Sequence, residues 1–293
     1  MSSATPNSPS EGLSGRIARL FVYPVKSCAG VEVTEAVLTS TGLDLDRAWM
    51  VVDANGEFLS QRELPRMALI KVQLKRSEVV LRAPGMLALH LAVDAVEEPT
   101  RVRVWDDEVP AYDMGAVAAQ WFTDFLGQAA RLVRFDPDHR RLSDMKWTGG
   151  IEAPNQFADG YPVLVASAAS LAGLNERLAK AGQAPVGIER FRPNIVLDGL
   201  EAHDEDRVEE LRIGSEPAAL LKLVKPCARC SIPDVDPQTG ERNARPVSDT
   251  LQSYRQDARL DGAVTFAMNA IVLEGEDAVL RVGQPVTGSW KFD

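Results

Sequence analysis

The residues best suited to chemistry are two cysteines in the stretch Lys222-Leu-Val-Lys225-Pro226-Cys227-Ala-Arg229-Cys230-Ser-Ile-Pro233-Asp234-Val-Asp236-Pro237. The thiolate is the form that binds metal or attacks, and adjacent Lys and Arg favour it over the thiol. Pro226, Pro233 and Pro237 forbid a continuous helix, so both sulfurs are expected on a loop entered from the apolar run 218–224. A thioredoxin-like dithiol would open a helix, whereas this pair runs into Ile232-Pro233. Spacing alone leaves three uses open: half of a structural zinc site, two packed thiols, or a functional sulfur. Zinc and iron–sulfur centres usually take about four ligands. Only Cys28, His90, His139 and His203 remain, none in a paired spacing, so a closed zinc site is unsupported and a four-cysteine cluster within the chain is excluded.

Other polar groups could hold an anion. Pro24-Val25-Lys26-Ser27-Cys28-Ala29-Gly30 puts a cation, a hydroxyl and a thiol on one turn, which serves either as an ordinary solvated turn or as a phosphate cradle. Arg47 stands at a strand entrance in Asp44-Leu-Asp46-Arg47-Ala48-Trp49, and Arg62 follows the returning strand. If the two strands pair across the turn Asp53-Ala-Asn55-Gly56, Arg47 and Arg62 share an open end; the alternative is surface pairing with Asp44, Asp46 or Glu63. Phe191-Arg192-Pro193-Asn194 displays a guanidinium and a carboxamide at the mouth of a strand reaching Leu197.

The positioning elements are mostly strands. Runs at 17–23, 31–38, 49–52, 69–74, 79–82 and 87–93, and a hairpin 101–105/108–112 turning at Asp106-Asp107, make the first part β-rich. A helix is predicted over 115–126, with Asp113 near its start and Gly127 as its stop. The polar segment 136–160 reads as a crossing between two units or a mobile loop. Beyond it come a strand 162–167, a helix 171–181 capped by Ser167 or Ser170, an acidic solvated loop 201–210, and strands at 270–273, 278–282 and 286–290.

The chain has 293 residues, 45% of them hydrophobic and 25% charged, enough for one large or two small cores. A formal net charge of −10 argues against nucleic acid or an anionic membrane as partner. Three cysteines suggest a reducing compartment, and no run approaches the ~18 apolar residues of a membrane span. Residues 1–15 read as a loose tail without a signal-peptide pattern. A cytoplasmic location is the simplest expectation.

Several motifs match one family in the same order: Tyr-Pro-Val-Lys-Ser-Cys-Ala-Gly at 23–30, Asp-Arg-Ala-Trp at 46–49, Phe-Arg-Pro-Asn-Ile-Val at 191–196, Cys-Ala-Arg-Cys at 227–230 with Asp-Pro-x-Thr-Gly at 236–240, Ser-Tyr-Arg at 253–255, and Val-Gly-Gln-Pro-Val at 282–286. Together they resemble MOSC-domain proteins with a MOSC N-terminal β-barrel domain, in particular the amidoxime-reducing components and their bacterial relatives. The resemblance implies an α+β, β-rich fold: a MOSC-type β-barrel with peripheral helices over 136–293, and a β-barrel-like domain over 16–135 whose first strands can pack with it.

It further implies a molybdenum cofactor (Mo-molybdopterin), with Cys227 as the protein ligand to molybdenum and Cys230 as a neighbour. Lys26, Ser27, Arg47, Arg192 and Asn194 match positions that hold the pterin and its phosphate, with Arg62, Asp159 and Arg229 as further candidates. The family's human members carry small hydroxyl residues after the equivalent of Asp159; Gly160-Tyr161 stands there in this chain, closer to bacterial forms, so backbone N–H groups are expected to replace those contacts. The implied activity is reduction of a small N-hydroxylated substrate, with electrons from a separate ferredoxin- or flavoprotein-type donor. Two rivals are a sulfur carrier using a Cys227 persulfide and a zinc-stabilised binding module.

Overall fold

The structure, a computed structural model, describes residues 12–215, 218–242 and 244–291. Its centre is a closed barrel of seven strands. In spatial order these are Val163–Ser167, Ile195–Asp198, Leu13–Val22, Pro285–Trp290, Val208–Ile213, Ala219–Ala228 and Ala263–Glu274. The ring closes where Val163, Leu164 and Val165 pair antiparallel with Ala270, Asn269 and Met268. Closure removes both sheet edges, and the alternating inward residues Ile17, Leu20, Val165, Ile195, Leu211, Leu221, Leu223 and Met268 fill the interior. The expected tail over 1–15 is cut short by this pairing: Leu13, Ser14 and Gly15 already belong to a strand, opposite Gly288, Thr287 and Val286. The remainder of that expectation lies outside the described residues.

The second β-rich unit comprises a four-stranded sheet (Trp49–Val52, Arg131–Phe135, Asp107–Asp113, Glu98–Val104) and a three-stranded one (Lys71–Leu74, Glu78–Arg82, Leu89–Ala92). The helix Gly115–Leu126 covers the space between them, placing Trp121, Phe122 and Phe125 against Trp49, Met67 and Leu132. It ends, as the sequence predicts, at Gly127 in the left-handed region (φ 74°), where a side chain would be strained. Val52 bridges Phe58 across the Asp53 turn, so the expected hairpin forms and carries Arg47 and Arg62 to one side.

Three sequence expectations are corrected. Cys227 lies at the end of the strand Ala219–Ala228 and not on a following loop. Pro226 is accommodated there because the ladder slips between Leu223 and Lys225 and again between Pro226 and Ala228, so the missing N–H falls in an irregular stretch. The polar segment 136–160 is tied down: Arg141 is buried and donates from Nε to Asp107 at 2.6 Å, and from Nη1 to Asn155 and to the Ala158 carbonyl, each at 2.7 Å. The acidic stretch 201–210 is not a wholly solvated loop. Glu205 is fully buried and accepts from the Ser170 hydroxyl at 2.7 Å and the Ser167 N–H at 3.3 Å, while the strand Val208–Ile213 follows.

Burial pushes the Glu205 carboxyl up to about 7 from its ordinary 4.5. Between those two values the folded chain binds more protons than the unfolded one, so this residue's favourable contribution is complete at low pH and is lost as pH rises through that window. Glu205→Gln should remove this slope. In urea titrations at pH 5 and pH 8, its stability relative to the parent should improve by about 2 kcal/mol at the higher pH. An unchanged difference would place the proton elsewhere.

Candidate functional site

One cleft opens at the rim of the barrel where the N-terminal unit meets it. Lys26, Ser27, Arg47, Arg62, Asp159, Arg192, Asn194, Cys227 and Arg229, the residues singled out from sequence, all line it. They come from separate places: the turn after Leu13–Val22, the entrance to Trp49–Val52, the hairpin return, the segment before Val163–Ser167, the short 3-10 turn Ile188–Phe191, and the end of Ala219–Ala228. Ser27, Arg47 and Arg192 are held at φ 66°, 53° and 59°. Left-handed backbone is unfavourable for such side chains, and three cases around one cleft mark a surface whose geometry is enforced by its surroundings.

What enforces it is a knot around Tyr23. The Arg47 guanidinium lies 4.5 Å and the Arg192 guanidinium 4.3 Å from the centre of this fully buried ring. Gly30 leaves room for the ring, since a Cβ there would fall 2.4 Å from it. Asp46, buried, accepts the Tyr23 N–H at 2.8 Å and pairs with Arg47. Arg47 also donates to Asn194 Oδ1 and to the Arg192 carbonyl, both at 3.1 Å. Asn194 is committed to the scaffold as well: Oδ1 accepts the Leu164 N–H at 3.0 Å and Nδ2 donates to the Phe21 carbonyl at 3.2 Å. The ion pairs first weighed as an alternative for the two arginines are thus present, as Asp46–Arg47 and Arg62–Glu63, without removing either arginine from the cleft.

The cleft holds five cations against one carboxylate, Asp159. Buried Lys26 donates to the Phe157 carbonyl at 2.8 Å and pairs with Asp159. Burial lowers the pKa of Lys26, and Asp159 opposes that. Desolvation disfavours the Asp159 charge, but Lys26, reinforced by Arg62 and Arg47, outweighs it and holds the carboxyl below its ordinary range. Burial and then the repulsion of Arg47 bring Arg192 down to about 10.

Two guanidinium nitrogens, Arg192 Nη2 and Arg229 Nε, are buried with no hydrogen-bond partner among the described residues. Unpaired buried donors beside crowded positive charge are the features an anionic group would satisfy. The residues therefore fit a phosphate-bearing cofactor.

Arg229 Nη1 donates to Cys227 Sγ at 3.0 Å, and Arg229 Nη2 anchors to the Phe191 carbonyl at 2.9 Å. Lys225, expected to share that task, lies instead over the rings of Trp147 and Tyr161, 5.2 and 5.8 Å from their centres. Cys227 and Cys230 are partly exposed on the cleft, whereas Cys28 is buried and its thiol is pushed up to about 12. Among the described residues no group of three or more His, Cys, Asp or Glu side chains is arranged to hold a metal, so the donor set of a structural zinc module is not assembled. Sequence reasoning missed Tyr23 and buried Asp46 as the frame of the site. The signal available was their adjacency to Pro24 and Arg47 inside motifs already recognised.

A barrel with this cleft defines the class, and the chain belongs to the MOSC family: residues 14–129 match the MOSC N-terminal beta barrel domain and residues 152–287 the MOSC domain. It is 37% identical over 250 residues to human mitochondrial amidoxime reducing component 2, spanning 82% of this chain and 72% of that protein. With human mitochondrial amidoxime-reducing component 1 it shares 36% identity over 285 residues, 93% of this chain and 82% of the relative. It is also 33% identical over 244 residues to bovine molybdenum cofactor sulfurase, covering 78% of this chain but 27% of that longer protein.

The differing burial of the thiols has a direct readout. Brief iodoacetamide treatment of the native cofactor-free chain should modify Cys227 and Cys230 while leaving Cys28 intact until denaturant is added. Peptide mass spectrometry scores the three sites, and early modification of Cys28 would contradict the described packing.

Proposed function

We propose that this chain is a molybdenum-cofactor-dependent oxidoreductase that removes oxygen from N-hydroxylated compounds such as amidoximes, with electrons from a separate ferredoxin- or flavoprotein-type donor. The observation that carries the reading is the position of Cys227: a partly exposed sulfur, hydrogen-bonded by Arg229, at the edge of a cationic cleft with two unpaired guanidinium N–H groups. The names of the amidoxime-reducing relatives support the activity, and that of the sulfurase relative supports association with the cofactor.

When bound, the cofactor supplies two-electron chemistry at molybdenum. The protein's part is ligation and placement. Cys227 would be the thiolate ligand, a soft donor suited to the metal, and Arg229 would fix the direction of its sulfur. Arg192 and Arg47 would receive the phosphate, with Lys26, Ser27 and Arg62 along the same wall. Asn194 would act through Arg47, because its own amide is already engaged by the scaffold. Asp159 would hold Lys26 in place and limit the repulsion among the cations.

No helix among the described residues is long and apolar enough to cross a membrane. All three cysteines are unpaired, which supports a reducing compartment, and we propose the cytoplasm. The matched amidoxime-reducing relatives are mitochondrial by name, so localisation of the tagged chain is the test that separates the two addresses.

Chain purified from a host that makes the cofactor should contain about one molybdenum and reduce benzamidoxime with a reduced viologen dye. Cys227→Ala should lose at least about 100-fold in activity together with its molybdenum, measured by elemental analysis. Equal activity and metal content in the variant would remove Cys227 from this role. Because the sulfurase relative matches most of this chain, a sulfur-carrier function is the second reading; it requires a labile extra sulfur on Cys227 by intact-mass measurement, in protein without molybdenum.

A further inference from the structure

Cys227 reaches the cleft against the alternation of its own strand. Ala219, Leu221 and Leu223 point into the barrel, and a strict two-residue period would send Lys225 and Cys227 after them. Instead Lys225 lies over Trp147 and Tyr161, and Cys227 lines the cleft, both on the outer side. The reversal falls at the first ladder slip. Leu223 pairs with Ala270 and Lys225 with Asn269, so Val224 falls outside the register and packs outward beside Ala153 and Ile271.

The second slip puts the extra residue on the facing strand. Pro226 pairs with Met268 and Ala228 with Thr265, so two residues, Phe266 and Ala267, stand against Cys227 alone. Met268 points into the barrel, whereas Phe266 and Ala267 both face the outer apolar layer against which Cys227 packs. Ala267 is fully buried and held at φ 71°, left-handed backbone inside the strand Ala263–Glu274, where alanine carries strain and glycine would not.

Bulges beside functional sites re-aim side chains, and here the effect can be followed atom by atom. Because the backbone turns at Ala267, Phe266 emerges on the outer face and stacks on Phe191, with ring centres 4.0 Å apart. The Phe191 carbonyl accepts from Arg229 Nη2 at 2.9 Å, and Arg229 Nη1 donates to Cys227 Sγ at 3.0 Å. An extended Ala267 would restore strict alternation, send Phe266 into the barrel and remove the ring on which Phe191 rests. We propose that Ala267 is a positioning residue for Cys227: its left-handed backbone, acting through Phe266, Phe191 and Arg229, fixes the sulfur at the cleft wall. The inference concerns the aim of the sulfur, and it holds whether Cys227 ligates a metal or carries sulfur.

Iodoacetamide rates at one pH on the full cofactor-free chain, scored at each cysteine by peptide mass spectrometry, test the assignment. Asn and Thr are close in size and both polar, but Asn tolerates left-handed backbone and a β-branched residue does not. Ala267→Thr should raise the Cys227 rate at least about fivefold, with Cys28 still protected, as the sulfur loses both its packing and its hold on Arg229. Ala267→Gly should stay within about twofold of the parent, and Ala267→Asn should lie nearer the parent than Thr does. An unchanged Cys227 rate in the folded Thr variant, equal rates in the Asn and Thr variants, or release of Cys28 together with Cys227 would overturn the proposal. Should the Thr variant not fold, Phe266→Leu decides: leucine fills the space without stacking, and Cys227 should again react at least about threefold faster. A parent-like rate there would overturn the proposal as well. Every measurement uses cofactor-free chain, so failure of the reductase reading would leave the result intact.

Discussion

The structure depends on holding several positive charges close together without a counter-ion large enough to neutralise them. At an effective dielectric of about 20, two like charges some 7 Å apart repel by roughly 2 kcal/mol, and this cleft assembles five cations. Offsetting that repulsion falls to a small set of groups: the buried Asp46, the Tyr23 ring between two guanidiniums, and the Asp159 carboxylate against Lys26. A desolvated cation–π contact is worth about 2 kcal/mol, so the ring opposes the repulsion on the same scale. What remains is a site poised for an anion, in which a bound phosphate would relieve stress already present.

The same knot joins the two units. Arg47 enters from the N-terminal unit and reaches Asn194 and Arg192, which flank the barrel strand Ile195–Asp198. Arg192 returns the contact by donating to the Cys28 carbonyl at 2.6 Å. The geometry of the cleft and that between the units are therefore set by the same atoms. A change that loosens one arginine would disturb both the orientation of the units and the charge pattern of the cleft.

Much of this was legible in the sequence, and the gaps have physical reasons. The helix Gly115–Leu126 and the strand Trp49–Val52 stood out because their apolar periodicity is undisturbed and a glycine stops the helix. The candidate residues were legible as charged or hydroxyl side chains at strand mouths, and the fold brings them together. The sequence places Cys227 on a loop because three prolines forbid a helix there; two ladder slips, visible only once the partner strand is known, let a strand carry Pro226 and Cys227 instead. Glu205 reads as part of a solvated loop and Arg141 as part of a crossing or mobile segment because a local pattern cannot show that Ser170 or Asn155 will arrive from elsewhere to satisfy a buried polar group.

The ring itself has one more implication. Leu13–Val22 meets Val31–Val33 locally through Leu20, Phe21 and Val22, but its barrel neighbours Ile195–Asp198 and Pro285–Trp290 are distant in sequence, so its place in the ring is completed only long after it has left the ribosome. Such high contact order makes assembly slow and leaves an apolar edge waiting. The unit built around Trp49 and Trp121 draws its contacts from nearer residues and can settle first, leaving the barrel to be completed around it late in synthesis.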